Sequence, residues 1–180
     1  MNWTIEVHRG DAAVLPTPDE SCDAVLLMGP LYHLIDADDR MRALREAHRV
    51  VRPGGVILAE VISRHSWVLS ATTKNLLDDA AIWNIFTKNI ETGLSQDPDT
   101  AADGAFWAHF HNPDELRSEI AKANFDQIEL LAVEGFAWLL GDLEQRMRTP
   151  ELLLRAIRLT ESEPSMLGCS AHVMGVAIRP

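Results

Sequence analysis

A chain of 180 residues, 47% hydrophobic and 24% charged, has the size and balance of one globular domain with a buried core. Its net charge of -11 excludes the clustered basic surface that phosphate-backbone binding requires. Two cysteines without CxxC spacing exclude a disulfide framework or zinc knuckle, and no apolar run approaches the ~20 residues of a membrane helix.

Thr4 to His8 alternates polar and apolar residues, which predicts a short strand ended by Gly10-Asp11. The following connection holds Pro16 and Pro18 and is too proline-rich for a helix. Ala24 to Met28 is a continuous apolar run closed by Gly29-Pro30, the pattern of a strand buried on both faces of a parallel sheet. From Asp36 to Val51, Met41, Leu44, Ala47 and Val51 recur at helical spacing, with Asp36 or Asp38 as cap and Pro53-Gly54-Gly55 as stop. Arg40, Arg42 and Arg45 sit among Asp36, Asp38, Asp39 and Glu46, which reads as a solvated face of mixed charge rather than a nucleic-acid patch. Val56 to Ile62 predicts a second buried strand, so that strand, helix and strand form a right-handed crossover. Glu60 within it is expected at a sheet edge or paired.

The segment 66–104 changes character. Leu69, Leu76, Leu77, Ile82, Trp83, Ile85 and Phe86 recur at helical intervals, and an acidic polar loop follows from Asp97 to Gly104. Its few apolar anchors predict mobility. Ala105 to Phe110 predicts a short extended piece. Asn112-Pro113-Asp114-Glu115 opens a helix with a cap, a proline at the first position and acids in the first turn. Gln127 to Val133 predicts a strand, Glu151 to Glu161 a helix, and His172 to Ile178 a closing strand. His109 and His111 share one face of an extended segment, but spacing alone shows no third ligand, so no metal site is expected.

The ordered cluster Gly10-Asp11-Ala12, Leu15-Pro16, Asp23-Ala24-Val25, Leu31-Tyr32-His33-Leu34 and Arg52-Pro53-Gly54-Gly55 resembles the middle of a class I S-adenosylmethionine-dependent methyltransferase of the type 11 kind. The resemblance is strongest from Gly10 to Ile62. It implies an α/β, Rossmann-like fold with a mostly parallel sheet and an antiparallel closing strand, in one domain over 1–180 with a helical lid at 66–104. It also implies a transferase that moves a methyl group from S-adenosylmethionine to a small-molecule acceptor, while the N-terminus, with no basic region before an apolar core, makes a cytoplasmic protein the default expectation. Asp11 would accept a hydrogen bond from the adenine amino group, with Ala12, Met28, Gly29 and Leu31 completing the cofactor contacts. His33 or Tyr32 would orient or deprotonate the acceptor, and Trp107, His109 and His111 would line its pocket. Trp83 and Trp138 are alternative lining residues, although large aromatics more often serve a core.

The family's Gly-x-Gly-x-Gly loop occurs nowhere in this sequence. The resemblance therefore describes an N-terminally truncated domain. It admits two alternatives: a non-catalytic binding or assembly module, or a reading frame that starts upstream of Met1. A sheet of the family's order would leave the Ala24–Met28 strand with an open edge, from which a homodimer is expected.

Overall fold

The computed structural model describes residues 5–96 and 107–180. Strand β1 (Cys22–Met28) leads through the single-turn helix α1 (Pro30–His33) and helix α2 (Ala37–Val50) into β2 (Val51–Ile62). Helices α3 (Ser66–Thr73) and α4 (Ala80–Thr92) follow, then the short β3 (Leu94–Gln96) and β4 (Trp107–His109). Helix α5 (Pro113–Lys122), β5 (Asp126–Ala132), a 3-10 turn at Ala137–Leu139, α6 (Leu143–Arg146), α7 (Pro150–Arg158), α8 (Pro164–Leu167) and β6 (His172–Ile178) complete the fold.

The main sheet has the order β1-β2-β6-β5. β1 and β2 pair in parallel, while β6 runs antiparallel to both β2 and β5. Three strands thus share one direction and β6 opposes them, which is the expected α/β architecture with a reversed closing strand. One sheet face carries Leu27, Ile57, Ala59, Val61, Leu130, Ala132, Val173 and Ala177 into a core completed by Leu44, Ala47, Leu116, Ile120 and Phe125. Each large aliphatic or aromatic chain there contributes about 1.5–3 kcal/mol by leaving water.

The capping predictions hold. Asp36 caps α2 through a 2.8 Å bond from the Asp38 amide, and Glu115 at the third position of α5 accepts from the Asn112 amide. Cys22 and Cys169 are free thiols. Among the described residues no helix is long and apolar enough to cross a membrane.

Several expectations are corrected. Residues 5–8 form no strand, and Ile5 and Val7 are 82% and 88% exposed. Alternation alone cannot satisfy strand amides, and among the described residues no neighbouring ladder reaches this segment. β1 is an edge strand rather than one covered on both faces: Leu26 and Met28 are exposed, and only Leu27 is fully buried. Glu60 lies on an inner strand rather than at an edge, since β2 pairs on both sides, and its charge acts on His172, in keeping with the paired alternative. Arg40 leaves the solvated face of α2 and is 3% exposed, because α5 packs over it and presents Glu119. The continuous helical pattern of 66–92 also breaks at residues 74–79, where Asn75 takes φ 54°. The acidic loop 97–104 lies outside the described residues.

Candidate functional site

In open α/β sheets, ligands gather outside the carboxyl ends of the strands. At the end of β1 the chain turns through Gly29, whose φ of 120° suits glycine, directly into α1. A side chain there would also meet the Tyr32 hydroxyl at 3.4 Å. The turn delivers His33 to a groove of about 650 Å³ whose walls include Asp36, Arg40, Thr92, Leu94 and His109. The far wall is stitched to the end of β2, where the His111 amide donates to the Ile62 carbonyl at 2.9 Å and Arg64 donates back to His111 at 3.0 Å. His33 and His109 therefore face one groove from two sides of the sheet end. A second hollow of about 690 Å³, between β5, α5 and α8, lies beside the middle of a strand instead.

Behind His109 stands a buried polar network. His109 Nε2 lies 2.7 Å from Glu115 Oε1, and Arg64 Nη2 lies 2.6 Å from Glu115 Oε2. His111 Nε2 lies 3.4 Å from Glu119 Oε2, while Arg40 donates from Nε to Glu119 Oε1 at 2.9 Å. Arg40 also donates from Nη1 to the Leu34 and Ile35 carbonyls, which ties the network to the groove floor. Burial pushes the Glu115 carboxyl up, but the His109 hydrogen bond and surrounding positive charge outweigh it and hold the group at about 2. Burial pushes the fully buried His111 imidazole down despite Glu119, which keeps it neutral near pH 7.

The other candidate residues fall elsewhere. Asp11 is exposed, and its Oδ1 accepts from the Ala13 amide at 2.9 Å within its own turn, which Ala12 shares. Met28 is exposed on β1, and Leu31 is fully buried in the main core. Tyr32 stacks obliquely beside His33, with ring centroids 4.6 Å apart. Trp107 is 39% exposed with Lys88 over its ring, outside the groove wall, and His111 lies behind His109 with their rings edge-on at 4.5 Å. Trp138 donates to the Cys169 carbonyl, and Trp83 packs edge-on against Phe86. Sequence reasoning missed Arg40, Arg64, Glu115 and Glu119. The His-x-His-x-x-x-Glu spacing was a signal for Glu115; nothing local marked Arg40.

The methyltransferase domain family model matches residues 1–59. A demethylmenaquinone methyltransferase of Lysinibacillus sphaericus is 39% identical over 54 residues, 30% of this chain and 22% of that protein. A tRNA (carboxymethyluridine(34)-5-O)-methyltransferase of Mus musculus is 35% identical over 65 residues, 36% of this chain and 9% of its own length. The chain thus spans less than a quarter of either relative. Among solved structures, a SAM-dependent methyltransferase from Thermotoga maritima superposes with TM-score 0.54 at 22% identity, covering 98% of this chain and 65% of that one. One from Methanosarcina mazei gives 0.56 at 20% identity, covering 94% and 65%. The fold is that of class I S-adenosylmethionine-dependent methyltransferases, the family read from Gly10 to Ile62, and S-adenosylmethionine is that family's cofactor.

Proposed function

We propose that this chain, with its S-adenosylmethionine-dependent methyltransferase fold, transfers a methyl group to a small acceptor held in the groove between His33 and His109. The observation that carries this reading is that both residues line one groove at the carboxyl end of the sheet. In the transfer, an acceptor lone pair attacks the sulfonium methyl carbon, the carbon–sulfur bond breaks, and sulfur keeps its electrons. The chain's work is to align the two reactants. His33 takes the acceptor's proton, which suits an imidazole near neutral pH, with Tyr32 positioning His33 and His109 holding the acceptor. Asp11, Ala12, Met28 and Gly29 serve the cofactor side, and Thr92 and Leu94 close the acceptor side of the groove.

The relatives' names span a tRNA and a quinone precursor. The net charge of -11 and the acid-rimmed groove, with Asp36 and Asp39, favour a small acceptor over tRNA. The open edge of β1 supports a second reading, a non-catalytic module that assembles through that edge.

Calorimetric titration with S-adenosylmethionine separates the two. The enzyme reading expects saturable binding, weakened by about 1–3 kcal/mol in Asp11→Ala, the cost of an unpaired polar partner. With a labelled methyl donor and a panel of small amines, phenols and quinols, His33→Ala and His109→Ala should each lower turnover about 10²–10⁴-fold with little change in cofactor affinity. Absence of any cofactor binding leaves the assembly reading.

A further inference from the structure

His111 is fully buried, and among the described residues its Nδ1 has no hydrogen-bond partner. A buried imidazole nitrogen without a partner is costly. The other nitrogen, Nε2, meets the Glu119 carboxylate, which Arg40 anchors in turn. A carboxylate on one ring nitrogen and a free lone pair on the other is the arrangement of a metal-bound histidine, where the outer carboxylate fixes the tautomer and raises ligand basicity. His109, His111 and Glu115 each offer a donor atom, all within 4.8 Å of one another. Metal–ligand bonds of ~2.0–2.2 Å hold two donors no more than about 4.4 Å apart, so an ion would draw these side chains in around itself.

We propose that His109, His111 and Glu115 bind a divalent transition-metal ion beside the groove. Two imidazoles and one carboxylate suit Zn²⁺, Co²⁺, Ni²⁺ or Fe²⁺ rather than Mg²⁺ or Ca²⁺, and they leave coordination positions open. Glu115 and Glu119 supply two negative charges against the ion. The positive groups facing the site are Arg64, which engages Glu115 Oε2, and Arg40, whose Nη2 lies 3.7 Å from Oε1. They pin the carboxylates and leave the imidazole nitrogens to the metal. The ion would take the place of the proton that now bridges His109 and Glu115. Because His109 lines the groove, an open position would lie within reach of an acceptor oxygen or nitrogen and could lower its pKa by direct coordination. The site stands on its own residues and does not depend on methyl transfer.

The test is titration of chelator-stripped protein with Co²⁺, read by visible absorption. A d–d band should saturate at one equivalent per chain, vanish on adding Zn²⁺, and be lost in His109→Ala and in His111→Ala whose far-UV circular dichroism matches the parent. His33→Ala, on the opposite wall of the groove, should keep the band. A melting temperature that rises with Zn²⁺ in the parent gives a second readout needing no variant. No saturable band together with an unmoved melting temperature would overturn the site, leaving a metal-free ion-pair network. A band undiminished in the His109→Ala/His111→Ala double variant would overturn it as well, placing the metal on other histidines.

Discussion

Arg40 on α2 and Glu119 on α5 form a buried ion pair, joined from Nε and Nη2 to Oε1 at 2.9 Å. The pair clamps α2 to α5, and Arg40 itself lines the groove with His33 and His109. Removing one partner strands the other charge in the interior, which costs about 3–5 kcal/mol. Arg40→Ala and Glu119→Ala should each lose that much in urea unfolding. The matched apolar pair Arg40→Met/Glu119→Leu should lose far less than the sum of the single changes. Strict additivity would show that the two residues do not depend on each other.

Gly175 marks where α5 meets β6. A Cβ there would sit 2.4 Å from Ile120 Cδ1, with Leu116 close behind. Overpacking of this kind costs about 1–3 kcal/mol, and Val should cost more than Ala. Thermal unfolding of Gly175→Ala and Gly175→Val checks it, and Ile120→Val should recover part of the loss in Gly175→Ala by shortening the clashing chain.

The His172–Glu134 pair should shape stability against pH. His172 Nδ1 lies 2.5 Å from Glu134 Oε1, and Ser170 and the His172 amide bond Oε2. The Glu134 bond raises the His172 pKa although burial opposes it; burial pushes the Glu134 carboxyl up, but the His172 and Ser170 bonds overcome this and hold it at about 2. The raised histidine stabilises the fold fully below its unfolded pKa of about 6.5 and loses that contribution as pH rises through the folded value. The depressed carboxyl contributes above its unfolded pKa of about 4.3 and loses that as pH falls toward 2. The stability difference between the parent and His172→Gln should therefore be greatest between about pH 4.5 and 6.5 and shrink on both sides. A difference flat across pH 4–9 would show that the pair carries no pH-linked stability.

Strand β1 pairs only with β2 among the described residues, and Leu26 is 61% exposed on it. Open apolar edges invite pairing with a second strand. Light scattering at micromolar concentration is expected to give twice the 20.0 kDa chain mass, with Leu26→Lys shifting the population toward the monomer. A monomeric parent would refute self-association through this edge.

Residues 24–62 were legible as strand, helix and strand because periodicity and the Asp36 cap act within a few residues of themselves, although Pro53-Gly54-Gly55, expected as the helix stop, lies inside β2 and α2 ends at Val50. The α5 start at Asn112-Pro113 and the closing strand at His172 were legible for the same reason. The Thr4–His8 alternation misled because a strand exists only where another ladder meets its amides, and that partner is not a property of the segment. Arg40 looked like one more solvated charge among acids. Only the packing of α5, with Glu119 buried beneath it, takes the guanidinium out of water. The groove obeys the same division. The turn at Gly29-Pro30 announced a site at the end of β1, but the arrival of His109, Glu115 and His111 opposite His33 depends on the bridge from Ser63 to His111 across the end of β2. Local patterns determined which elements form. Contacts between residues distant in sequence decided which side chains share a site, because burial and ion pairing are set by what packs against a residue and not by its neighbours along the chain.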